Sequence, residues 1–166
     1  MNSRALFVAL AASLVSSTAW ATGTHAGGHY TFGEPGKEAD VTRVIEVIAD
    51  DSDGMIFRMD MAPIKQGETI KFIVTNQGAG EHEFSIGDVA SQRSHAKLMA
   101  KNPEMKHDDD PSAVSLAPAE SATLIWKFNK PVATEIVFAC QMPGHYEAGM
   151  VHKVQFEKVE KDSPST

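Results

Sequence analysis

The chain has 166 residues, a formal net charge of −7 and one cysteine, and these numbers exclude several classes of protein. Its length fits one domain. The acidic balance argues against nucleic acid as a partner, because phosphate binding relies on neutralisation by Lys and Arg. One cysteine cannot form a disulfide framework within the chain, so the fold must rest on its hydrophobic core.

The first 21 residues have the features of a secretory signal peptide. Arg4 supplies a short positive region, residues 5–15 are almost wholly apolar, and Ala19-Trp20-Ala21 supplies the small-x-small cleavage pattern. The apolar stretch is shorter than the ~20 residues that span a bilayer. We therefore predict a signal peptide over 1–21 that is cleaved in a periplasmic protein without a membrane span. An uncleaved anchor is the alternative.

Residues 22–38 are rich in Gly, His and Thr and show no apolar periodicity, which predicts a flexible N-terminal arm. A single domain is predicted over 39–158, followed by a polar tail over 159–166.

Within that domain, β-branched and aromatic segments alternate with turn clusters, which is typical of an all-β sandwich of about eight strands. Segment 89–101 is richer in Ala, Lys, Gln and Ser and predicts a short surface helix that ends before Pro103. The segments predicted as strands are 41–48, 55–59, 69–75, 83–86, 122–128, 134–139 and 151–156.

Cys140 is unusual because it is a lone thiol in a chain predicted to reach an oxidising compartment. Intermolecular pairing, a reactive role, simple burial and a metal-bound thiolate are the four explanations to weigh. The residues that follow favour the metal, since Cys140, His145 and Met150 form a C-x4-H-x4-M pattern between two predicted strands. A thiolate, an imidazole and a thioether together suit copper, whereas zinc more usually takes further Cys or His ligands.

A trigonal copper site of this kind needs a second imidazole from a distant part of the chain. His82 meets this need, because it follows the glycine-rich segment 76–80 and opens a predicted strand. Taken alone, His82 would be a turn histidine and Met150 a core residue; their joint placement favours metal ligands instead.

The motif His82-Glu83-Phe84 together with the C-x4-H-x4-M loop resembles the cupredoxin family, over roughly residues 40–157. The resemblance implies a Greek-key sandwich and one-electron transfer between Cu(I) and Cu(II). It also implies one type 1 copper, with His82 and His145 as imidazole ligands, Cys140 as thiolate ligand and Met150 as weak axial ligand. In some relatives a carbonyl equivalent to that of Glu81 lies opposite the axial methionine.

The chain also has eight Met and seven His residues, more than one copper site requires. Met55, Met59 and Met61 share one strand parity with Phe57, which favours core or rim packing over metal binding. Thioethers and imidazoles suit Cu(I) and Cu(II) respectively, so an auxiliary copper-binding surface is a further hypothesis. Its candidate residues are His25, His29, His95, Met99, Met105 and His107.

These soft donors and the insertion before the Trp126 strand resemble the small periplasmic cupredoxins associated with copper tolerance. A dedicated one-electron carrier between periplasmic redox proteins is the alternative function. An enzyme is disfavoured, because copper enzymes that use such a site as a relay carry additional His-x-His motifs and this chain has none. The expected partners are a copper ion and redox proteins, and we expect a monomer.

Overall fold

The structure is a computed structural model that describes residues 29–107 and 109–158. The predicted signal peptide over 1–21, His25, Asp108 and the predicted tail over 159–166 lie outside the described residues. No helix among the described residues is long and apolar enough to cross a membrane.

Strands dominate the described residues, with a single α-helix between the sixth and seventh strands. The strands in chain order are β1 Glu34–Pro35, β2 Arg43–Asp50, β3 Ile56–Arg58, β4 Ile64–Lys65, β5 Thr69–Asn76, β6 His82–Gly87, β7 Ala113–Leu116, β8 Ser121–Lys127, β9 Glu135–Ala139 and β10 Val151–Glu157. The helix α1 spans Val89–Met99.

These strands form two five-stranded sheets, in the orders β1-β8-β5-β2-β3 and β4-β10-β9-β6-β7. The chain passes to the second sheet for β4, returns to the first for β5, forms β6 and β7 in the second, returns to the first for β8, and ends in the second with β9 and β10. The predicted all-β sandwich with a short helix is confirmed. Eight of the described strands have three residues or more, and the two-residue strands β1 and β4, like β7, were not predicted.

Period-two alternation explains why the central strands form and which face they bury. In β5, Ile70, Phe72 and Val74 are fully buried, whereas Ile73 between them faces outwards. The core between the sheets is largely aromatic at its centre, where the ring of Phe84 packs on those of Phe72 and Phe138 at centroid separations of 5.6 and 5.5 Å. Met55, Met59 and Met61 are partly buried against this core, as the alternation favoured.

Strand β6 departs from this alternation, because all six of its residues are buried. Its Phe84 and Ile86 belong to the core, while Ser85 contacts α1 on the opposite face. The helix is anchored there by Gln92, whose Nε2 donates to the carbonyls of Ser85 and Val137 at 3.2 and 3.1 Å. Because α1 packs over it, the face of β6 opposite the core is also buried.

Part of the predicted N-terminal arm lies against the core. The ring of Phe32 is 3% exposed and stacks on Trp126 at a centroid separation of 5.1 Å. Glu34 and Pro35 then pair with β8. The domain boundary at residue 39 stays a prediction, although these contacts show that the sandwich packs against residues before it.

Candidate metal centre

Sheet register gathers the predicted ligands at one end of the sandwich. His82 is the first residue of β6, Cys140 follows β9 directly, and Met150 directly precedes β10. Ala139 pairs with both Ser85 of β6 and Val151 of β10. Cys140 and Met150 are next to these paired positions, and His82 lies three residues before Ser85 on the same strand, so all three lie at one end of the sandwich. The 140–150 loop closes over this end.

The donor atoms of His82, Cys140 and His145 lie within 4.8 Å of one another. Nδ1 of His145 is 3.3 Å from Nδ1 of His82 and 3.3 Å from Sγ of Cys140. Such separations are those expected of atoms that share one ion at metal–nitrogen and metal–sulfur distances of about 2.0 and 2.3 Å. Met150 is fully buried in the core beside Cys140, with which it shares a backbone hydrogen bond.

Backbone hydrogen bonds hold the 140–150 loop in shape. The N–H of Cys140 donates to the carbonyl of Met150 at 3.0 Å, and the N–H of Met150 donates to the carbonyl of His145 at 2.9 Å. Gly144 and Gly149 have φ angles of 87° and 113°, which residues with a side chain rarely adopt. The loop thus presents its three donor side chains on a backbone that the fold has already fixed.

Three of the four predicted ligands are shielded from solvent, and this affects the thiol. His82, Cys140 and Met150 are all fully buried, while Met142 in the loop is partly buried against the core. Burial raises the pKa of Cys140 to about 12, outweighing the hydrogen bond that the backbone N–H of Glu83 donates to Sγ at 3.3 Å. Without a metal the residue is a neutral thiol, and a metal that takes it as thiolate must displace a proton.

The imidazole of His82 is oriented by a residue that the sequence pattern did not single out. Oδ2 of Asp51 lies 3.3 Å from Nε2 of His82, which leaves Nδ1 facing Cys140 and His145. Asp51 also accepts hydrogen bonds of 2.8 Å from the N–H groups of Ala79 and Gly80. Burial and the nearby His145 lower the pKa of His82, against the opposing charge of Asp51, so the imidazole is kept neutral and able to bind a metal.

Gly78 leaves room for this contact. A Cβ atom at this position would lie 2.7 Å from Nε2 of His82 and 2.8 Å from Cγ of Asp51. This glycine of the glycine-rich segment 76–80 therefore permits close packing behind the candidate metal centre.

The candidate residues of the auxiliary copper-binding surface do not all lie together. His95 and His107 come together, and the residue between them is Glu83, to which the sequence pattern gave no role. Met99, the last residue of α1, is buried, Met105 is half-buried, and His29 is exposed at the start of the described residues. His152 on β10 is half-buried rather than facing solvent.

The sandwich, the lone buried thiol and the loop together define a copper protein of the cupredoxin class. Residues 44–157 match the family of copper-binding proteins described as the plastocyanin/azurin family, and the chain belongs to it. It is 42% identical over 135 residues to a copper-resistant cuproprotein, CopI, of Rubrivivax gelatinosus, covering 78% of this chain and 79% of that protein. It is also 36% identical over 149 residues to the CopI of Pseudomonas aeruginosa, covering 72% and 79% respectively.

Solved structures agree on the fold. Reduced auracyanin from Roseiflexus castenholzii superposes with a TM-score of 0.52 at 23% identity, covering 69% of this chain and 96% of that one. Auracyanin A of Chloroflexus aurantiacus, a blue copper protein, gives a TM-score of 0.50 at 20% identity, covering 69% and 98%.

Proposed function

We propose that this protein is a periplasmic type 1 copper protein that acts in copper tolerance, with one copper held by His82, Cys140, His145 and Met150. The observation behind this proposal is the convergence of three donor atoms within 4.8 Å at the buried end of the sandwich. Two imidazoles, a thiolate and a thioether fit copper in both oxidation states, because they combine borderline and soft donors. When bound there, copper supplies the exchange of one electron between Cu(I) and Cu(II).

The protein's own residues would hold the centre rigid during that exchange. β6 fixes His82, and the hydrogen-bonded loop fixes Cys140, His145 and Met150. The Glu83 N–H that donates to Sγ of Cys140 withdraws electron density from the sulfur, and such hydrogen bonds tune the potential of a copper–thiolate centre. The surrounding apolar core keeps water from the thiolate.

The relatives support a role in copper tolerance over a general redox role. The chain covers more than three quarters of the length of the Rubrivivax gelatinosus and Pseudomonas aeruginosa proteins, both of which are named copper-resistant cuproproteins. The signal-like residues 1–21 support export to the periplasm, where toxic copper would be bound or oxidised. The proposal involves no catalytic turnover of an organic substrate.

A dedicated one-electron carrier is the second candidate, and one feature of the site favours it. His145 is only half-buried, whereas His82, Cys140 and Met150 are fully buried. Its neighbours Pro143 and Gly144 are exposed, so the imidazole lies nearest to a surface on which a redox partner would dock.

The ligand set is tested by Cys140→Ala. We expect the copper-loaded variant to lose the visible thiolate-to-copper charge-transfer band, because its source is the bond between Sγ and copper. His152→Ala, which removes a histidine outside the 140–150 loop, is the matched control and should keep the band. A full-strength band in Cys140→Ala would refute the assignment.

The biological role is tested by growth on copper. A strain that lacks the gene should be sensitive to copper, and the wild-type gene should restore growth while the Cys140→Ala gene should not. If the deletion strain grows normally on copper, the tolerance role is wrong and the carrier function becomes the better explanation.

A further inference from the structure

The second face of β6 carries a group of metal-binding side chains separate from the Cys140 centre. Glu83 on β6, His95 on α1 and His107 in the segment after α1 each place a donor atom within 4.8 Å of the other two. Glu83 and His107 are almost fully buried, while the side chain of His95 is 15% exposed. The group is therefore enclosed by the protein and reaches solvent at His95.

The donor atoms are already so close together that the side chains would need only small shifts to bind one ion. Nε2 of His95 is 2.8 Å from Oε1 of Glu83, and Nε2 of His107 is 3.5 Å from Oε2 of the same carboxylate. The rings of His95 and His107 have centroids 5.0 Å apart. Among the described residues Oε2 of Glu83 accepts no hydrogen bond, and Nε2 of His107 is in ion-pair range of it.

The orientation of His107 is fixed from behind. Its Nδ1 lies 3.0 Å from Oγ of Ser115, and Ser115 pairs directly with Glu83 across β6 and β7. A hydrogen bond at one ring nitrogen sets the tautomer and the ring orientation of a metal-binding histidine. Here it leaves Nε2 directed towards Glu83.

Charge favours a cation at this position. A buried carboxylate is costly unless a positive charge balances it. Burial lowers the pKa of His95, but the hydrogen bond and the charge of Glu83 and then the charge of Asp110 raise it overall, so Asp110 is a second negative group nearby. His95, Asp110 and Tyr30 also line one cavity, through which an ion would approach.

We propose that Glu83, His95 and His107 form a second metal site that binds Cu(II). Two imidazoles and a carboxylate are borderline and hard donors, which suit Cu(II) better than Cu(I). Among divalent first-row ions Cu(II) binds such donors most tightly. The remaining coordination positions would be filled by water entering at His95.

The site is tested by Cu(II) binding to the purified full-length chain in a Cys140→Ala background, which removes the thiolate centre. Cu(II) is added to saturation and the copper-to-protein ratio is measured together with the EPR spectrum. We expect His95→Gln to lower the ratio by about one and to remove one tetragonal Cu(II) signal. Glutamine retains a donor for Glu83 but has no imidazole nitrogen for copper, so the variant keeps the hydrogen bond and loses the ligand.

Two controls separate this site from other sources of copper binding. His152→Ala removes a histidine outside the cluster and should leave the ratio unchanged. His25→Ala with His29→Ala should leave the His95-dependent signal in place, because the N-terminal histidines are not ligands of the proposed site. His107→Ala should reproduce the loss seen in His95→Gln.

The result that overturns the proposal is an unchanged ratio and EPR spectrum in both His95→Gln and His107→Ala. The cluster would then be an internal ion-pair network only. The visible band of the same variants with Cys140 restored reports folding independently: it should remain in each. The visible band therefore tests the Cys140 centre, whereas the copper-to-protein ratio and the EPR spectrum in the Cys140→Ala background test the His95 site.

Discussion

Asp51 contacts His82, one of the proposed copper ligands, without being a proposed ligand itself. It accepts hydrogen bonds from the N–H groups of Ala79 and Gly80 before β6, and its Oδ2 lies 3.3 Å from Nε2 of His82. The carboxylate therefore fixes both the turn and the ring. Partners of this kind commonly change metal affinity about 10- to 100-fold when they are removed.

We predict that Asp51→Ala lowers the copper affinity of the Cys140 centre about 10- to 100-fold while the visible band persists at saturation. The His82 ring loses its orienting contact but keeps its donor nitrogen. The measurement is a copper titration followed at the charge-transfer band. Asp53→Ala, at an exposed aspartate two residues further along the chain, is the matched control. Equal affinities in the two variants would show that Asp51 does not position the imidazole.

At the scale of elements, α1 converts one face of β6 into an interior. Gln92 is the main anchor, because it bonds to Ser85 and Val137 and also accepts a hydrogen bond of 2.8 Å from Gln141, the residue after Cys140. Asp88 caps the helix by accepting from the N–H of Ser91 at 2.7 Å. The helix is thus held by polar contacts that link it to both the β6 strand and the 140–150 loop.

We predict that Gln92→Ala lowers the free energy of unfolding by about 2 kcal/mol, since buried carbonyls of Ser85 and Val137 lose their donor. Urea unfolding measures this change. Ser94→Ala on the exposed side of the same helix should stay within about 0.5 kcal/mol of wild type. A loss of similar size in both variants would contradict a specific anchoring role for Gln92.

At the scale of the whole molecule, stability in acid depends on carboxylates that the fold holds ionised. Asp50 at the end of β2 accepts hydrogen bonds from the N–H of Ser52 at 2.9 Å and from Nε of Arg58 on β3 at 3.1 Å. The hydrogen bonds of Ser52 and then Arg58 hold the pKa of Asp50 far below its usual range. A carboxylate with a lowered folded-state pKa stabilises the protein above its unfolded pKa and loses that contribution as the pH falls.

We predict that wild-type stability decreases as the pH falls from about 5 towards 2, and that Asp50→Asn shows a flatter decrease over the same window. The amide has no charge to lose, so its variant is less stable at neutral pH and converges with wild type in acid. Thermal unfolding across this pH range measures both curves. Asp60→Asn, at an exposed position, should follow wild type. Parallel curves for Asp50→Asn and wild type would contradict the prediction.

The sequence was sufficient for the sandwich and for the candidate donors, because both depend on local pattern. Alternating β-branched residues located the strands of the core, and β7 was missed since Ala113–Leu116 is short and weakly β-forming. Spacing alone indicated Cys140, His145 and Met150. By contrast, Glu83 and Asp51 act through contacts that no local pattern records: Glu83 is buried only because α1 packs over β6, and Asp51 reaches His82 across 31 positions of the chain. The packing of Phe32 on Trp126 was missed for the same reason.

The adjacency of His82 and Glu83 on one strand has a thermodynamic consequence. The two side chains point to opposite faces of β6, and the backbone N–H of Glu83 donates to the sulfur of Cys140. A shift of Glu83 caused by a cation on one face would change the length of that hydrogen bond on the other. If cation binding at Glu83 changes the copper affinity of the Cys140 centre by some factor, then copper binding at Cys140 changes the cation affinity at Glu83 by the same factor. This follows because coupling free energies are reciprocal. One peptide unit would then make copper loading on the two faces of a single strand interdependent.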